Sequence, residues 1–383
     1  MRRRLFSVMI LLACAIEPFA AHAQVFETKA RQAYLLDDET GTVLYAKNEN
    51  EQVPAASLAK LMTAELVFSA LQAGEVTLDT EFPVSEHAWR TGGAPSGTST
   101  MFAALKSRIK VADLIQGVTI QFANDACIIL AEGISGGEAA FAKRMTDRAG
   151  ELGLTSSIFA NPTGLPDPGN SVTMRDMVSL ARHIHGSYPE FFPFYSRPEF
   201  AWNKITQRNR NPLLASNIGV DGFVTGFAEG AGFSIVATLQ RGGRRVFLGL
   251  AGLGSEKERL EESRRILEWS MTAFERKRLF EAGEPVGEAA VYGGSQSHVG
   301  LLSRDAVDVL VPVDNQERLS AKVVYRWPLN GPLAAGRQAG MLRIWSGERL
   351  LREVPVETAS AVDEGSLSSR AMDALQELLF FWL

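Results

Sequence analysis

The sequence predicts a mixed α/β or α+β domain followed by a small all-β domain. Within residues 24–275 helical patterns lie in the middle and strand patterns at both ends, which indicates a mixed domain. Beyond residue 276 the chain changes to short alternating apolar runs separated by glycine, proline and asparagine, which indicates strands alone. With 383 residues, 46% of them hydrophobic, the chain is long enough for two domains with sizeable cores.

The elements of the two domains are predicted from their residue patterns. A hairpin is expected over 33–45, because two apolar runs flank a turn-forming segment. Pro54 is expected to open a helix over 55–71, which lacks glycine and proline and is apolar on nearly every face. The remaining predicted helices are 111–120, 125–132, 138–151, 175–184 and 256–275, and the remaining strands are 233–240, 244–250, 306–313, 321–327 and 340–344.

The beginning of the chain predicts export. Three arginines at positions 2–4 precede a short apolar run, and Ala-His-Ala at positions 21–23 fits a cleavage site. Residues 1–23 are therefore expected to be a signal peptide that directs the chain to the periplasm. The competing interpretation is a lipoprotein signal in which Cys14 carries the lipid.

The end of the chain predicts a surface helix. Residues 366–383 carry apolar side chains at helical spacing and finish on an aromatic cluster, as in helices that lie at a membrane interface. We expect this segment to hold the protein on the inner-membrane surface. A terminal helix docked on its own domain is the alternative.

The composition excludes several kinds of site. A formal net charge of −5 without a basic stripe gives nucleic-acid binding no electrostatic basis. Cys14 and Cys127 are the only cysteines, which excludes a disulfide framework and a cysteine zinc cluster. Cys127 is expected to be a core residue, and His183 and His185 surface histidines. No metal or cofactor is predicted.

Ser57 and Lys60 are the main catalytic candidates. Their spacing places a hydroxyl and an amine on one face, in the first turn of a predicted buried helix. Burial and the positive end of the helix dipole both favour a neutral amine, which is able to accept the serine proton. The same spacing recurs at Ser107 and Lys110, but in a polar segment that is expected to be exposed.

Two further segments are candidates for parts of the active site. Asn124 follows Phe122 and opens the predicted helix 125–132, where an N-cap role is the alternative. Thr225 and Gly226 precede a predicted strand whose edge is suited to hold a peptide by backbone pairing, and a plain turn is the alternative. The G-x-S-x-G match at 133–137 follows a helix, so it is interpreted as a helix C-cap and loop instead of a nucleophile elbow.

The order of these segments resembles the low-molecular-mass penicillin-binding proteins, the D-alanyl-D-alanine carboxypeptidases. The resemblance covers nearly the whole mature chain, including the β-domain and the terminal helix. It implies the fold of β-lactamases, an antiparallel sheet flanked by helices. Further matching segments are 34–37 with 40–41, 54–63, 99–102, 124–127, 161–165, 202–204, 209–211, 220–222 and 231–232.

The resemblance also implies a reaction. Ser57 would attack the terminal D-Ala-D-Ala bond of a peptidoglycan stem peptide, Lys60 would take its proton, and Asn124 would be the third catalytic residue. Val224, Thr225 and Gly226 would bind the substrate. Backbone N–H groups, including that of Ser57, would form the oxyanion hole, and water would release the acyl-enzyme. β-Lactams are the covalent ligands that the resemblance implies.

Two positions depart from the family pattern. Phe122 replaces a serine that passes a proton to the leaving amine, and Val224 replaces a lysine beside the substrate carboxylate. Neither side chain donates a proton or a hydrogen bond. Three outcomes stay open: a working carboxypeptidase in which Thr225, Asn124 or a loop arginine takes over, a slow enzyme that mainly binds β-lactams or peptide, and a non-catalytic peptidoglycan-binding relative.

Overall fold

The computed structural model describes residues 26–314, 317–367 and 370–371. The predicted signal peptide and nearly all of the predicted terminal helix lie outside these residues. Within them, no helix has both the length and the apolar character that a membrane span requires.

The first part of the chain has its sheet strands near both ends and most of its helices between them, as the sequence predicts, with short two-stranded pairs in between. Its elements are β1 Gln32–Asp37, β2 Val43–Lys47, β3 Val53–Pro54, α1 Ala59–Gln72, β4 Glu81–Pro83, α2 Glu86–Thr91, β5 Arg108–Lys110, α3 Val111–Gln116, α4 Asn124–Ser135, α5 Glu138–Glu151, β6 Ser171–Val172, α6 Met174–Ser187, β7 Glu199–Trp202, β8 Ile205–Arg208, β9 Val220–Ala228, β10 Gly232–Arg241, β11 Arg244–Leu253 and α7 Glu256–Thr272.

A five-stranded antiparallel sheet organises this part. The strand order is β2-β1-β11-β10-β9, so the first hairpin pairs with strands from more than 200 residues later, and β9 lies at an edge. One apolar core lies between the sheet and α1, α4, α5 and α6, and a second lies beneath α7 on the other face. The predicted hairpin, the strands at 233–250 and the mixed fold with helices flanking an antiparallel sheet are confirmed.

The central helix begins later than the sequence predicts. Pro54 belongs to β3, and a single 3-10 turn, Ala56–Leu58, comes between it and α1. Eleven of the fourteen residues of α1 are buried, which confirms the prediction of a core helix. The turn therefore places Ser57 just outside the regular helix and Lys60 inside it.

Two other predicted helices are wrong at their C-terminal ends. The helix expected over 111–120 is α-helical only as far as Gln116, and Gly117–Gln121 continues as a π-helix. The helix expected over 256–275 ends at Thr272, and the chain then forms a strand. Four consecutive residues of that strand, at positions 275–278, are charged and exposed, so the strand lacks the alternating apolar pattern that marks a strand in sequence.

The interpretation of 133–137 as a helix C-cap and loop is confirmed, although the helix ends three residues later than the predicted residue 132. Helix α4 continues to Ser135, and Gly136, with φ of 76°, ends it in the left-handed conformation. A Cβ on Gly133 would lie 2.4 Å from the ring of Phe82, so this glycine serves close packing within the helix.

A buried carboxylate ties α1 to α5 and α6. Glu65 is fully buried and accepts hydrogen bonds from Arg148 at 2.9 Å and from the Tyr188 hydroxyl at 3.0 Å. His183 Nε2 lies 3.5 Å from the same carboxylate. Burial raises the pKa of Glu65, but the contacts with His183, Arg148 and Tyr188 outweigh it and hold the pKa below its usual value.

His183 and His185, predicted to be surface histidines, are partly exposed. His183 is half-buried against Glu65, and His185 is half-buried edge-on against the rings of Phe192 and Phe247. Both lie on α6 where it covers the sheet, so the tertiary packing covers part of each ring.

The second part of the chain is built of strands, as predicted. A six-stranded sheet has the order β16-β18-β19-β14-β13-β17, and a two-stranded sheet joins β12 to β15. The apolar core of this part is separate from the two cores of the first part. The strands are β12 Phe274–Phe280, β13 Pro285–Tyr292, β14 His298–Leu302, β15 Val307–Pro312, β16 Leu319–Tyr325, β17 Leu329–Asn330, β18 Gln338–Ser346 and β19 Arg349–Thr358.

Replacing Arg148 with leucine is expected to lower the free energy of unfolding by about 2–3 kcal/mol at pH 7, because the Glu65 carboxylate would remain buried without its cation. Chemical unfolding measures this loss. Stability from a carboxyl with a lowered pKa is present above its unfolded pKa of about 4.3 and is lost as pH falls through the folded pKa. The gap between the variant and the wild type should therefore narrow below about pH 4.

Lys143→Leu is the matched control, since its ion pair with Asp147 lies on the exposed face of the same helix and should contribute less than about 1 kcal/mol. The double variant Glu65→Leu/Arg148→Leu should recover most of the loss. An Arg148→Leu loss no larger than that of Lys143→Leu would contradict the role of the buried pair.

Candidate active site

An open cleft of about 690 Å³ contains the predicted nucleophile. It lies beside the edge strand β9, between the sheet and the loop that precedes β5. Its lining is mostly polar and includes two arginines. The residues that line it are Ser57, Gly97, Thr98, Ser99, Thr100, Phe102, Gln121, Phe122, Asn124, Arg210, Thr225, Gly226, Phe227, Glu256 and Arg259.

Two glycines allow the chain to close around the Ser57 turn. Ala56 has φ of 45°, a left-handed conformation that is uncommon outside glycine. A Cβ on Gly164 would lie 1.6 Å from the Ala56 carbonyl oxygen, which no side chain tolerates. A Cβ on Gly226 would lie 2.6 Å from Ser234 Oγ and 3.5 Å from the Ser57 nitrogen, so this glycine lets β9 approach the turn.

Lys60 lies directly below Ser57. Its Nζ is 3.4 Å from Ser57 Oγ and donates a hydrogen bond to the Thr163 carbonyl oxygen. The side chain is only 3% exposed, and burial, with a smaller contribution from Arg210, lowers the pKa of Lys60 to about 8. An amine with this pKa is partly neutral near pH 7 and is able to accept the proton of the serine.

The loop that accepts the lysine hydrogen bond is itself fixed. Asn161 Oδ1 accepts hydrogen bonds from the Thr163 nitrogen and hydroxyl and from the Gly164 nitrogen. Thr63 Oγ1, on α1, donates to the Pro162 carbonyl oxygen at 2.7 Å. No side-chain motif marks this role of the loop in the sequence, because the group that contacts Lys60 is a backbone carbonyl, which any residue at that position would carry.

Asn124 reaches the cleft and does not cap a helix with its side chain. It is the first residue of α4, and the N-cap position belongs to Ala123. Asn124 Nδ2 lies 3.0 Å from Thr98 Oγ1, while its Oδ1 is buried without a partner among the described residues. The structure thus brings Ser57, Lys60 and Asn124 to one site.

Thr225 and Gly226 lie within a strand, so the alternative of a plain turn is wrong. Both belong to β9, where they pair with Ile235 and Ser234 of β10. Since β9 is an edge strand, its other side is open to an extended ligand. The second Ser-x-x-Lys pair is elsewhere: Lys110 is exposed on β5 and pairs with Asp79 at 2.8 Å.

The two departures from the family pattern are both apolar and buried. Phe122 is 3% exposed and ends the π-helix with φ of 55°, so that it lines the cleft and joins the central core. Val224 is 1% exposed in the same core and is not among the residues that line the cleft. Neither position offers the ligand a hydrogen-bonding side chain.

Two arginines outside the three motif segments bring positive charge to the cleft. Arg210 lines the cleft with an exposed side chain. Arg259, on α7, is 6% exposed, lies over the Phe233 ring at 5.6 Å from its centroid and has Nη1 3.4 Å from the Gly226 carbonyl oxygen. Arg210 lies in the segment 209–211, which resembles the family in sequence. Arg259 lies in no such segment and resembles any charged residue of a surface helix.

Cys127 is a buried core residue, as predicted. It lies on α4 behind the site, where burial raises the pKa of its thiol to about 12. The thiol therefore stays protonated and is a poor nucleophile.

Comparison with known proteins identifies the family. The chain matches the model of the D-alanyl-D-alanine carboxypeptidase family over residues 18–252 and that of the penicillin-binding protein 5 C-terminal domain over residues 274–364. It is 33% identical to the D-alanyl-D-alanine carboxypeptidase DacD of Salmonella typhimurium, over 98% of this chain and 99% of that protein.

Solved structures support the same family assignment. Penicillin-binding protein 5 from Haemophilus influenzae superposes with a TM-score of 0.73 at 32% identity, covering 88% of this chain and 98% of that one. Penicillin-binding protein D2 from Listeria monocytogenes in its cefotaxime-bound form gives a TM-score of 0.59 at 29% identity, over 64% of this chain and 99% of that one. The protein therefore belongs to the D-alanyl-D-alanine carboxypeptidase family, and its fold is that of penicillin-binding protein 5.

Proposed function

We propose that this protein is a serine D-alanyl-D-alanine carboxypeptidase that removes the terminal D-alanine from peptidoglycan stem peptides. The observation that carries the proposal is the Ser57 hydroxyl above the buried Lys60 amine, 3.4 Å apart in a cleft beside an open strand edge. The names of the relatives give the substrate class. No cofactor is needed, because a serine and its base suffice for acyl transfer.

In the first half of the reaction, neutral Lys60 takes the proton of Ser57, and Oγ forms a bond to the carbonyl carbon of the D-Ala-D-Ala amide. The oxyanion is held by backbone N–H groups, that of Ser57 among them. The C–N bond then breaks, and the leaving amine takes the proton that Lys60 holds. In the second half, water attacks the ester carbonyl while Lys60 takes a proton from it. The bond between the carbonyl carbon and Ser57 Oγ then breaks, and Oγ takes that proton from Lys60.

The terminal carboxylate of the substrate is held by Arg210 and Arg259 in place of the lysine that Val224 replaces. Both arginines line the cleft, and Arg259 is tied to the backbone of Gly226 in the edge strand. Hydrogen bonds to a charged group contribute about 1.5–3 kcal/mol each. The missing hydroxyl at Phe122 leaves Lys60 as the proton donor to the leaving amine, which makes the enzyme slower than relatives that keep a relay.

β-Lactams are expected to acylate the same serine. Penicillin-binding protein D2, whose structure is similar, carries cefotaxime and ampicillin in its bound forms. A β-lactam places its carbonyl carbon where the D-Ala-D-Ala carbonyl would lie, so the steps up to the acyl-enzyme are shared.

We further propose where the protein works and how its parts divide the task. Residues 1–23 direct export to the periplasm, residues 24–275 carry the reaction, residues 276–365 form a β-rich support, and residues 366–383 lie on the inner-membrane surface. Cleavage after residue 23 is favoured over lipidation at Cys14 because the arginines at positions 2–4 leave only a short apolar run before that cysteine.

Incubation with a fluorescent penicillin tests the reaction. We expect covalent labelling of the wild type and none of Ser57→Ala, since the label is an ester of that hydroxyl. Ser107→Ala, in the second Ser-x-x-Lys copy, should label like the wild type. Absence of labelling at high protein concentration would instead favour a non-catalytic, peptidoglycan-binding relative.

The labelling rate should depend on pH through Lys60. The reactive form is the neutral amine, so the rate is expected to rise roughly tenfold per pH unit below the pKa and to level off above about pH 8. Stopped labelling reactions between pH 5.5 and 9.5 measure this profile. Lys60→Arg should abolish labelling because a guanidinium stays protonated, whereas Lys110→Met should keep the wild-type profile. A profile that is flat through pH 8 would contradict the role of Lys60.

Arg210→Leu and Arg259→Leu are each expected to lower kcat/KM for a pentapeptide ending in D-Ala-D-Ala by about 10–100-fold. Release of D-alanine measures the effect. A matched peptide with an amidated C-terminus removes the carboxylate, so the variants should differ little from the wild type on it. Equal losses on both peptides would show that the arginines do not bind the carboxylate.

The same assay tests Phe122 and Val224, the two positions that depart from the family pattern. The double change Phe122→Ser/Val224→Lys should raise D-alanine release by at least about tenfold, because it returns a proton relay to the lining of the cleft and a positive charge to the strand position next to Thr225. Unaltered release would contradict the roles assigned to these positions.

Deletion of residues 369–383 tests the surface helix. The truncated protein is expected to move from the membrane fraction to the soluble fraction, because apolar contact with lipid is lost. An unchanged distribution would favour a helix docked on its own domain.

A further inference from the structure

The two most exposed large apolar side chains of the described residues lie in the second part of the chain. Leu367 is 78% exposed, at the start of the predicted surface helix, and Trp327 is 68% exposed, in the loop between β16 and β17. Tryptophan is a residue that proteins place at the membrane interface. The position of both side chains in the fold decides whether one lipid surface is able to contact them together.

The register of β18 and β19 gives the β-domain two ends. The turn between these strands faces the active-site domain, because Arg349 Nη1 donates a hydrogen bond to the Leu44 carbonyl oxygen at 3.0 Å. The other ends of the two strands, at Gln338 and Thr358, lie about 30 Å away along strands that rise about 3.3 Å per residue. We call this the far end of the β-domain.

The predicted surface helix leaves the fold at the far end. Beyond Thr358 the chain returns to the tip of the β13–β14 hairpin, where the Gly365 nitrogen donates to the Gly293 carbonyl oxygen at 2.9 Å. A Cβ on Gly365 would lie 2.5 Å from the Gly294 carbonyl oxygen, so the two segments are in close contact. Leu367 follows two residues later and is therefore held near this hairpin tip.

Trp327 lies at the same end. β16 runs antiparallel to β18 and places Tyr325, two residues before the tryptophan, opposite Gly340 near the far end of β18. β17 then pairs with the last two residues of β13, and a Cβ on Gly331 would lie 3.0 Å from Gly294 Cα. The segment that follows the Trp327 loop and the segment that precedes the predicted helix thus pack against the same glycine.

The far end also carries positive charge that is not neutralised by a partner. Arg326 precedes the tryptophan, and Arg337 is joined to Thr358 through backbone hydrogen bonds. Both arginines are exposed, and neither forms an ion pair within the part of the chain that the structure describes. The nearby carboxylates of Glu357 and Glu364 are each paired with another arginine. The two unpaired cations are therefore available to an anionic surface.

We propose that the loop of residues 326–328, with Arg337, is a second contact of this protein with a membrane that carries anionic lipids. Trp327 enters the headgroup region, and the two arginines bind lipid phosphates. The proposal rests on the membrane-surface location in the proposed function, and it adds a contact that the folded β-domain itself makes. Two contacts in place of one fix the orientation of the β-domain on the membrane, and with it the direction in which the active site faces.

Co-sedimentation with vesicles tests the contact. The vesicles contain one part phosphatidylglycerol to three parts phosphatidylcholine, at a lipid concentration that binds half of the wild-type protein. Trp327→Ala is expected to weaken binding by about five- to twentyfold, because the contact of the indole with lipid is lost. Arg326→Gln and Arg337→Gln should each weaken it by about fivefold. On phosphatidylcholine alone both arginine variants should bind as the wild type does.

Arg318→Gln and Val313→Ala are the matched controls. Arg318 and Arg326 are exposed residues that flank β16 at its opposite ends, and Val313 is 57% exposed where β15 meets the active-site domain. Both controls should bind vesicles as the wild type does. Thermal unfolding of each variant shows whether it is folded. Wild-type binding by folded Trp327→Ala and Arg326→Gln would overturn the inference.

A dye at position 327 shows what covers the loop. Cys127 is buried, so a polarity-sensitive thiol dye reacts with Trp327→Cys at the new position. Its emission should shift to the blue when the anionic vesicles are added, whereas a dye on Val313→Cys should not respond. Emission that is already blue without vesicles, and that shifts to the red on deletion of residues 369–383, would show that the terminal segment covers the loop, which overturns the inference.

Failure of this proposal differs from failure of the proposed location. Full-length protein that does not bind vesicles at all contradicts the membrane-surface location. Binding that is abolished by deletion of residues 369–383 but unchanged in Trp327→Ala and Arg326→Gln contradicts the second contact alone.

Discussion

The burial of the Lys60 amine is the constraint on which the rest of the site depends. A lysine 3% exposed is costly to keep charged, and the Thr163 carbonyl gives it a partner that accepts a hydrogen bond without adding a full negative charge. A carboxylate in that place would hold the amine protonated. Asn161 orders the loop that presents the carbonyl, and Gly164 and Gly226 let the surrounding backbone close on the Ser57 turn.

Apolar side chains at two motif positions leave the contact between Ser57 and Lys60 in place. Phe122 and Val224 both belong to the central core, and neither carries a hydrogen-bonding side chain. The positive charge lies instead on Arg210 and Arg259, on a loop and on α7.

Much of the fold was predictable because its signals are local. Turn residues between apolar runs mark the first hairpin and the strands of the β-domain, and an unbroken apolar run marks α1. The errors fall where distant packing decides the backbone. A Cβ on Gly117 would lie 2.8 Å from Met101 Sδ, and the helix changes to a π-helix at this contact. Strand β12 is charged and exposed along most of its length, so its pairing with β15 leaves no apolar pattern.

The sequence by itself determined the Ser57 and Lys60 pair, the order of the three segments and the change to an all-β domain, since each depends on spacing within a few residues. Only the tertiary structure decided which groups complete the site. Thr163 is 103 residues from the lysine that it contacts, and Arg259 is 33 residues from the strand that it touches. No local periodicity relates such positions. Their meeting is set by the pairing of β9 with β10 and by the packing of helices on both faces of the sheet, which bury one amine and direct two guanidinium groups to the same cleft.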